Sequence, residues 1–419
     1  MTFKTVFSAE YQMSHYREPV YQIFADSRLE ASLEKGQVIS RSYASDVVVN
    51  DMGADGSYET QPITDKAETL TIDKEKEASI YIKKLDVLQA HLPLKKKYGR
   101  KLGNALVNQI DGDVFLAIYQ GAGTTIDDGD FAGTSGNGFT VTSSNVATVF
   151  TTAMEKLRLK NVVYNKRFKS SAGMKLEVPE GMPSAAVSPE ILSAIELYLG
   201  GKTTLLGDQV SRNGYSGYFM GFEVFVSNSL AWTGSFGIAT QPTDGDTVTL
   251  NGVTLTWKTT LGTTAGNVLI GVSADTSNTN LTALINTPGT TTSEGVALST
   301  ADQNLLKNIT ATANLTANTM TIVVSGRGTI VVSNVLTDGT DGWTTTKSKL
   351  HNIFALSKSI SLVIQKTPSL EENPVSGKIG RDYIAWTVYG SNVFTDQAPQ
   401  IVELAVNSSA FTAASQIVN

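Results

Sequence analysis

The sequence predicts an α+β chain of two or three folded units, and three observations carry that reading. At 419 residues the chain exceeds one ordinary core, since domains average roughly 150 residues. Glycine, threonine and serine are abundant and proline is scarce, which favours strands and turns over a helical bundle. Two stretches, near 93–120 and 145–160, nevertheless repeat their apolar residues at helical spacing.

Taken in order, residues 1 to about 35 are polar and mixed, with Pro19 and a short apolar cluster at Val20, Ile23 and Phe24. They read as an arm that needs a partner surface. β-Branched residues dominate from Gln37 to Asn50, and a second extended run covers Glu68 to Lys83. Between them Asp51 to Gly56 is a turn-rich tip, so the two runs are expected to pair as a hairpin around it. Many of its positions are charged, and a hairpin so short of core is marginal unless it lies across another molecule.

Pro93 opens a predicted helix through Gln120, because Leu94, Tyr98, Leu102, Leu106, Ile110, Val114 and Ile118 recur every four residues. Gly99, Gly103 and Gly112 weaken it by about 1 kcal/mol each, so packing must hold it. Gly121 to Ser144 reads as loop. Val146, Val149, Phe150, Ala153 and Leu157 predict a helix over 145–160 that Ser143, Ser144 or Asn145 can cap. A strand near Ser184–Val187 leads to Ser188-Pro189-Glu190, which starts a helix expected to stop at Gly200-Gly201. Phe222 to Val226 is a buried-strand pattern.

Composition changes near Gln241. From there to Thr345 about a quarter of the residues are threonine and only Lys258, Lys307 and Arg327 are basic, which marks a separate unit of small α+β type. Asn251-Gly252 between Thr247–Leu250 and Val253–Trp257 is a strong hairpin signal. Leu281, Leu284 and Ile285 suggest a short helix, and Met320–Val324 with Thr329–Val335 a second hairpin around Gly326-Arg327-Gly328. Strands are expected at Tyr383–Tyr389 and Ile401–Val406.

The composition also excludes. There is no cysteine, so neither disulfides nor thiolate chemistry can contribute. His15, His91 and His351 lie far apart, which argues against a multi-histidine metal site or a histidine triad and reads them as surface or packing residues. A net charge of -6 provides no basic field for reading nucleic acid. No segment approaches the roughly 18 apolar residues that span a bilayer, and the start lacks the apolar stretch of a signal peptide.

Several motifs begin and fail. Gly200-Gly201-Lys202-Thr203 resembles the end of a phosphate loop, but Glu196 stands where its first glycine belongs. Asp51, Asp55 and Gly56 fit part of a calcium loop whose bidentate glutamate position falls on Pro62. Asp127-Asp128-Gly129-Asp130 could gather carboxylates on a divalent cation, although a solvated loop is the simpler reading. Lys95-Lys96-Lys97 with Arg100-Lys101 forms a basic helical face, better suited to solvent or a neighbouring acidic surface than to sequence-specific DNA. No catalytic, cofactor-binding or metal-binding residue is assigned, and no cofactor is expected.

The order of parts is more telling: polar arm, charged hairpin, long helix, α/β domain, terminal strands. Gly56-Ser57-Tyr58-Glu59 to Asp86, Tyr98-Gly99-Arg100-Lys101-Leu102 through Phe115, Gly217 to Asn228, His351-Asn352-Ile353-Phe354-Ala355 through Gln365, and Tyr389-Gly390-Ser391-Asn392-Val393-Phe394 carry the likeness. In these stretches the chain resembles the major capsid proteins of tailed bacteriophages, the Hong Kong 97-type fold. The resemblance implies an N-arm at 1–35, an extended loop at 36–78, a peripheral domain at 79–140 and 366–419 with a spine helix at 93–120, an axial domain at 141–240 and 346–365, and an insertion domain at 241–345.

What it implies in function is a structural, non-enzymatic subunit forming the hexamers and pentamers of an icosahedral shell around double-stranded DNA. The implied partners are further copies of the chain, a separate scaffolding protein, a portal protein at one vertex and DNA bound non-specifically, with no membrane. The implied location is the virion, assembled in host cytoplasm. The loop strands begin near residue 37, which leaves no room for a cleaved N-terminal scaffolding segment. Lys66, Lys74 or Lys76 could cross-link to an asparagine, but no local signature supports it. An encapsulin-like compartment shares the fold, and an adhesin or tail-tube protein or a carboxylate-based enzyme are the readings from other classes.

Overall fold

The computed structural model describes residues 19–29, 37–44, 48–52, 55–58, 60, 65–89, 94–162, 181–202, 217–315, 317–326, 330–337 and 342–407. A helical turn α1 (Tyr21–Phe24) runs into β1 (Ala25–Asp26), followed by β2 (Val38–Ala44), β3 (Asp65–Thr71), β4 (Lys74–Lys83), α2 (Lys84–Gln89), the long α3 (Leu94–Gln120) and β5 (Thr124–Ile126). Then come α4 (Val146–Leu159), β6 (Pro183–Val187), α5 (Pro189–Gly200), β7 (Tyr218–Phe219), β8 (Phe222–Val226) and β9 (Trp232–Gly237). The threonine-rich stretch holds β10 (Thr247–Leu250), β11 (Val253–Lys258), β12 (Asn267–Leu269), α6 (Ala274–Asn286), α7 (Thr300–Leu306), β13 (Ile309–Asn314), β14 (Thr319–Val324) and β15 (Val332–Val335). Strands β16 (Gly342–Leu356), β17 (Ile360–Pro374), β18 (Gly380–Asn392) and β19 (Ile401–Asn407) follow. The mixture is α+β, as the sequence predicts, and no described helix is long and apolar enough to cross a membrane.

The chain divides into two compact units. One holds Ala25–Val107 and Ile360–Thr395. Its main sheet runs β1-β17-β18-β4, and β2 pairs with β3 in a separate two-stranded ribbon. The single strand expected over 68–83 is thus two: β3 pairs with β2, while β4 leaves to lie antiparallel to β18. The break falls at Ile72-Asp73. Gly390 there sits so close to the Thr71–Ile72 backbone that a Cβ would lie 2.3 Å from the Thr71 carbonyl oxygen. Below the ribbon Leu70, Ile72, Val363 and Phe394 form a small core, joined by Leu29, Ile39 and Val388.

The second unit holds Arg17–Phe24, Asn108–Ser359 and Asp396–Asn419. Its nine-stranded sheet runs β13-β14-β9-β16-β6-β8-β7, with β19 beside β16 and β5 beside β19. Helix α4 supplies the apolar face that its spacing predicts, Val146, Val149, Phe150, Ala153 and Leu157, and α5 adds Ile191, Ala194 and Ile195, all buried. Phe150 meets Phe219, Phe222 and Phe354 edge-on, with centroids 4.8–6.0 Å apart. Asn145 and Ser188 stand at the N-cap positions the sequence offers, but neither side chain makes a capping bond. The Asn145 side chain turns back to accept from the Thr142 amide and donate to the Thr140 carbonyl, and Ser188 caps nothing with its hydroxyl.

Ile110, Val114 and Ile118 of α3 are buried, as the four-residue repeat predicts. The buried Asp111 carboxylate accepts the amides of Val20 and Tyr21 at 3.0 and 2.9 Å, and Phe24 meets Phe115 edge-on. This fragment of the expected arm therefore has a partner within its own chain. Residues 1–18 and 30–36, with His15, lie outside the described residues.

Asn251 and Gly252 take positive φ of 50° and 85°, the turn that joins β10 to β11 as expected. The second hairpin is a correction: β14 pairs with β13 and β9, whereas β15 pairs with β10 in the sheet β12-β11-β10-β15. The turn at Gly326 is pressed onto α3. A Cβ on Gly112 would stand 2.4 Å from the Gly326 Cα, and flanking bonds join Asn308 to Gln109 and Ser325 to Asp113. At the outer edge of β13 the Asn286 amide accepts the Ala311 N–H and donates to the Ala311 carbonyl, both at 2.8 Å.

Candidate assembly surface

The β2–β3 ribbon is the part of the first unit least provided with core. Its two strands bury only Leu70 fully, because the side chains alternate between solvent and a thin apolar layer. Its root is nonetheless well held. Arg41 and Glu68 are opposite one another in register and pair at 3.0 Å, and the Arg41 guanidinium lies 4.2 Å above the Phe394 ring. Glu68 also accepts from the Thr395 amide and hydroxyl, and Asn392 donates to the Thr69 carbonyl. Burial raises the Glu68 pKa, but the Thr395 and Arg41 donors outweigh it and hold the carboxyl below its usual range.

Beyond the root the character reverses. Val48, Val49, Met52 and Tyr58 are all exposed, Val49 at 95 %. Large apolar side chains this open, so near one another in sequence, are the kind of exposed surface that partners often use. The partial calcium-loop pattern forms a turn, as the sequence reading prefers. Asp55 spends its carboxylate on the Ser57 amide and hydroxyl, at 3.1 and 2.6 Å, in a local turn. Residues 45–47, 53–54, 59 and 61–64 lie outside the described residues.

The remaining sequence candidates resolve individually. In the Asp127–Asp130 loop each carboxylate already has a partner: Asp127 accepts from Gly129 and Gly136, Asp128 from Thr134, and Asp130 pairs with Lys156 at 2.7 Å. Burial raises the Asp127 pKa, but those amides, the Ser135 hydroxyl and the Lys349 charge together lower it. Among the described residues no group of three or more acidic or histidine side chains is placed to hold a metal. Gly201 ends α5, and the Lys202 ammonium stands 4.4 Å over the Tyr198 ring rather than over a phosphate cradle. Thr203, His91 and the side chains of Lys95, Lys96 and Lys97 lie outside the described residues.

One cluster escaped the sequence reading. His351 of β16 is buried, with Nδ1 bonded to Glu403 of β19 and Nε2 2.8 Å from the Thr233 hydroxyl of β9. Thr125 donates its hydroxyl to the other Glu403 oxygen at 2.9 Å, and Tyr119 stacks on the imidazole at 3.9 Å. Burial and the Glu403 charge push the Tyr119 phenol up to about 12. Hydroxyl, imidazole and carboxylate stand in the order of a hydrolytic triad, yet Thr233, His351 and Glu403 are all buried. A triad without substrate access is a polar bridge between strands. Its residues are 118 and 52 positions apart, so no local motif announces it.

No family model and no curated protein matches the sequence. Solved structures do. A structure of Mycobacterium phage Che8 superposes with a TM-score of 0.55 at 13% identity, over 96% of this chain and 96% of that one. The capsid structure of the cyanophage P-SCSP1u gives a TM-score of 0.51 at 13% identity, over 97% and 94% of the two chains. The chain has the Hong Kong 97-type capsid fold. The likeness extends over nearly the whole chain, the threonine-rich stretch included.

Proposed function

We propose that this protein is the major capsid subunit of a tailed phage, self-assembling through hexamers and pentamers into the icosahedral shell that encloses double-stranded DNA. The observation that carries the reading is the ribbon whose root is fixed by Arg41, Glu68 and Thr395 while Val48, Val49, Met52 and Tyr58 stand uncovered beyond it. The capsid fold supports it, and a closed symmetric shell supplies an identical neighbour for every such surface. On this reading the parts are an N-arm at 1–35, an extended loop at 36–78, a peripheral domain at 79–140 and 366–419, an axial domain at 141–240 and 346–365, and an insertion at 241–345. Further partners would be a separate scaffolding protein, a portal protein and non-specifically bound DNA, with assembly in the host cytoplasm and residence in the virion. No catalytic role is assigned.

The test is negative-stain microscopy of the full chain co-expressed with the scaffolding protein of the same genome, alongside the double variant Val49→Asp, Met52→Asp. Wild type should give closed shells. The variant should fold with unchanged melting temperature, since exposed substitutions alter stability by only about 0.5 kcal/mol, and give none. Closed shells from the variant, or none from wild type, would overturn the proposal.

A further inference from the structure

The β1-β17-β18-β4 sheet of the first unit has two unlike faces. Tyr383, Ala385, Thr387 and Tyr389 are buried on one, where Leu370 also packs against α3 at Gly99. The alternate residues Ile384 and Trp386 face the other way, in register with Ser79 and Glu77 of β4, and stay partly open. Charge is divided along this second face. Glu75 and Glu77 stand exposed at one end of β4 and Lys83 at the other, while Lys74 and Lys76 alternate onto the opposite face. Lys84 and Lys378 are exposed beside Lys83, and of Lys83-Lys84-Leu85-Asp86 only the last is acidic. Between these lysines Leu85 and Ile379 are 59% and 80% exposed, drawn together by the bond from the Lys84 amide to the Ile379 carbonyl. The other cations nearby are engaged: Arg381 pairs with Glu372 at 2.9 Å, and Lys366 lies 3.8 Å from Glu371. Glu77 and Lys83 are six residues apart on one strand, about 20 Å, more than twice the screening length of about 8 Å, so neither end neutralises the other.

We propose that the two ends meet between copies: the basic, apolar tip of Lys83, Lys84, Leu85 and Ile379 seats on the acidic end, Glu75 and Glu77, of a second copy of the chain, with Ile384 and Trp386 beside it. The proposal rests on the self-assembling reading and names one of its contacts. A second copy is the occupant because one face carries both a charge and its complement, too far apart to satisfy each other at home. Opposite ends attract and like ends repel, which fixes the direction in which two copies approach, while the open Leu85 and Ile379 supply apolar area to cover.

The test uses full-length chain assembled with its scaffolding protein and treated with a carbodiimide, which joins a lysine amine to a carboxylate only where the two touch. Links from Lys83 or Lys84 to Glu75 or Glu77 are expected, and the spacing along β4 means that they join different copies. The pair Lys83→Glu, Lys84→Glu should lower the yield of shells about tenfold, and so should Glu75→Lys, Glu77→Lys, because each sets like charges against one another. All four changes in one chain restore the complement and should restore the yield. The four positions are exposed, so each variant should keep the wild-type melting temperature. Wild-type yield from either pair, no recovery in the fourfold variant, or wild-type shells without these links would overturn the contact and leave the subunit reading standing. No shells from wild type would overturn both. If a variant does not fold, the presence or absence of the links in wild-type shells decides alone.

Discussion

The β2–β3 ribbon and the nine-stranded sheet use the same backbone ladder but differ in what lies on their faces. The sheet carries two helices and a continuous core that includes Phe150, Phe222, Phe354 and Val402, all buried. The ribbon rests on four fully buried residues and then extends into open valine, methionine and tyrosine. Buried core thus lies in one region and exposed apolar surface in the other. A substitution should consequently read out as loss of fold in the sheet and as loss of association in the ribbon.

The sharpest way to break this contrast is Phe354→Ala. Phe354 is fully buried and meets Phe150 and Phe222 edge-on, and its truncation should cost about 3–5 kcal/mol, measured by denaturant unfolding. A loss no greater than that of the ribbon variants would erase the distinction. A smaller effect comes from a pair of glycines on α3. Gly112→Ala forces a methyl against the Gly326 backbone and should destabilise by about 1–3 kcal/mol, although alanine is the better helix former. Gly103→Ala, where a Cβ meets nothing within 4 Å, should stabilise by about 1 kcal/mol. Equal signs for the two would show that Gly326 yields.

The smallest effect concerns pH at the ribbon root. The Glu68 carboxyl is held below its ordinary value of 4.5, so its contribution is complete above that value and disappears as pH falls through the lower, folded one. Hydrogen exchange at 38–44 and 65–71 should accelerate in that acid window, and Glu68→Gln should flatten the dependence.

Elements with strong local periodicity were legible in advance. The four-residue stripe of α3, the face of α4 and the Asn251-Gly252 turn needed only neighbours in sequence to declare themselves. Helix α6 was foreseen as a short segment because its buried face includes Ser277, Asn278 and Asn280, polar residues that interrupt the apolar count while bonding to the backbone around them. Strand partners were harder. Nothing in Met320–Val324 tells it to join β9, some 85 residues upstream, instead of the adjacent Val332–Val335. The His351 cluster was invisible for the same reason, since its members meet only after four strands and a helix have assembled.

The Asn286 clasp on Ala311 has an effect outside the molecule's own interior. Its amide imitates one rung of a neighbouring strand, so an incoming chain cannot zip onto β13 without first evicting it. Newly made copies crowded in a cell are thereby steered away from endless ribbon-like aggregation along that margin.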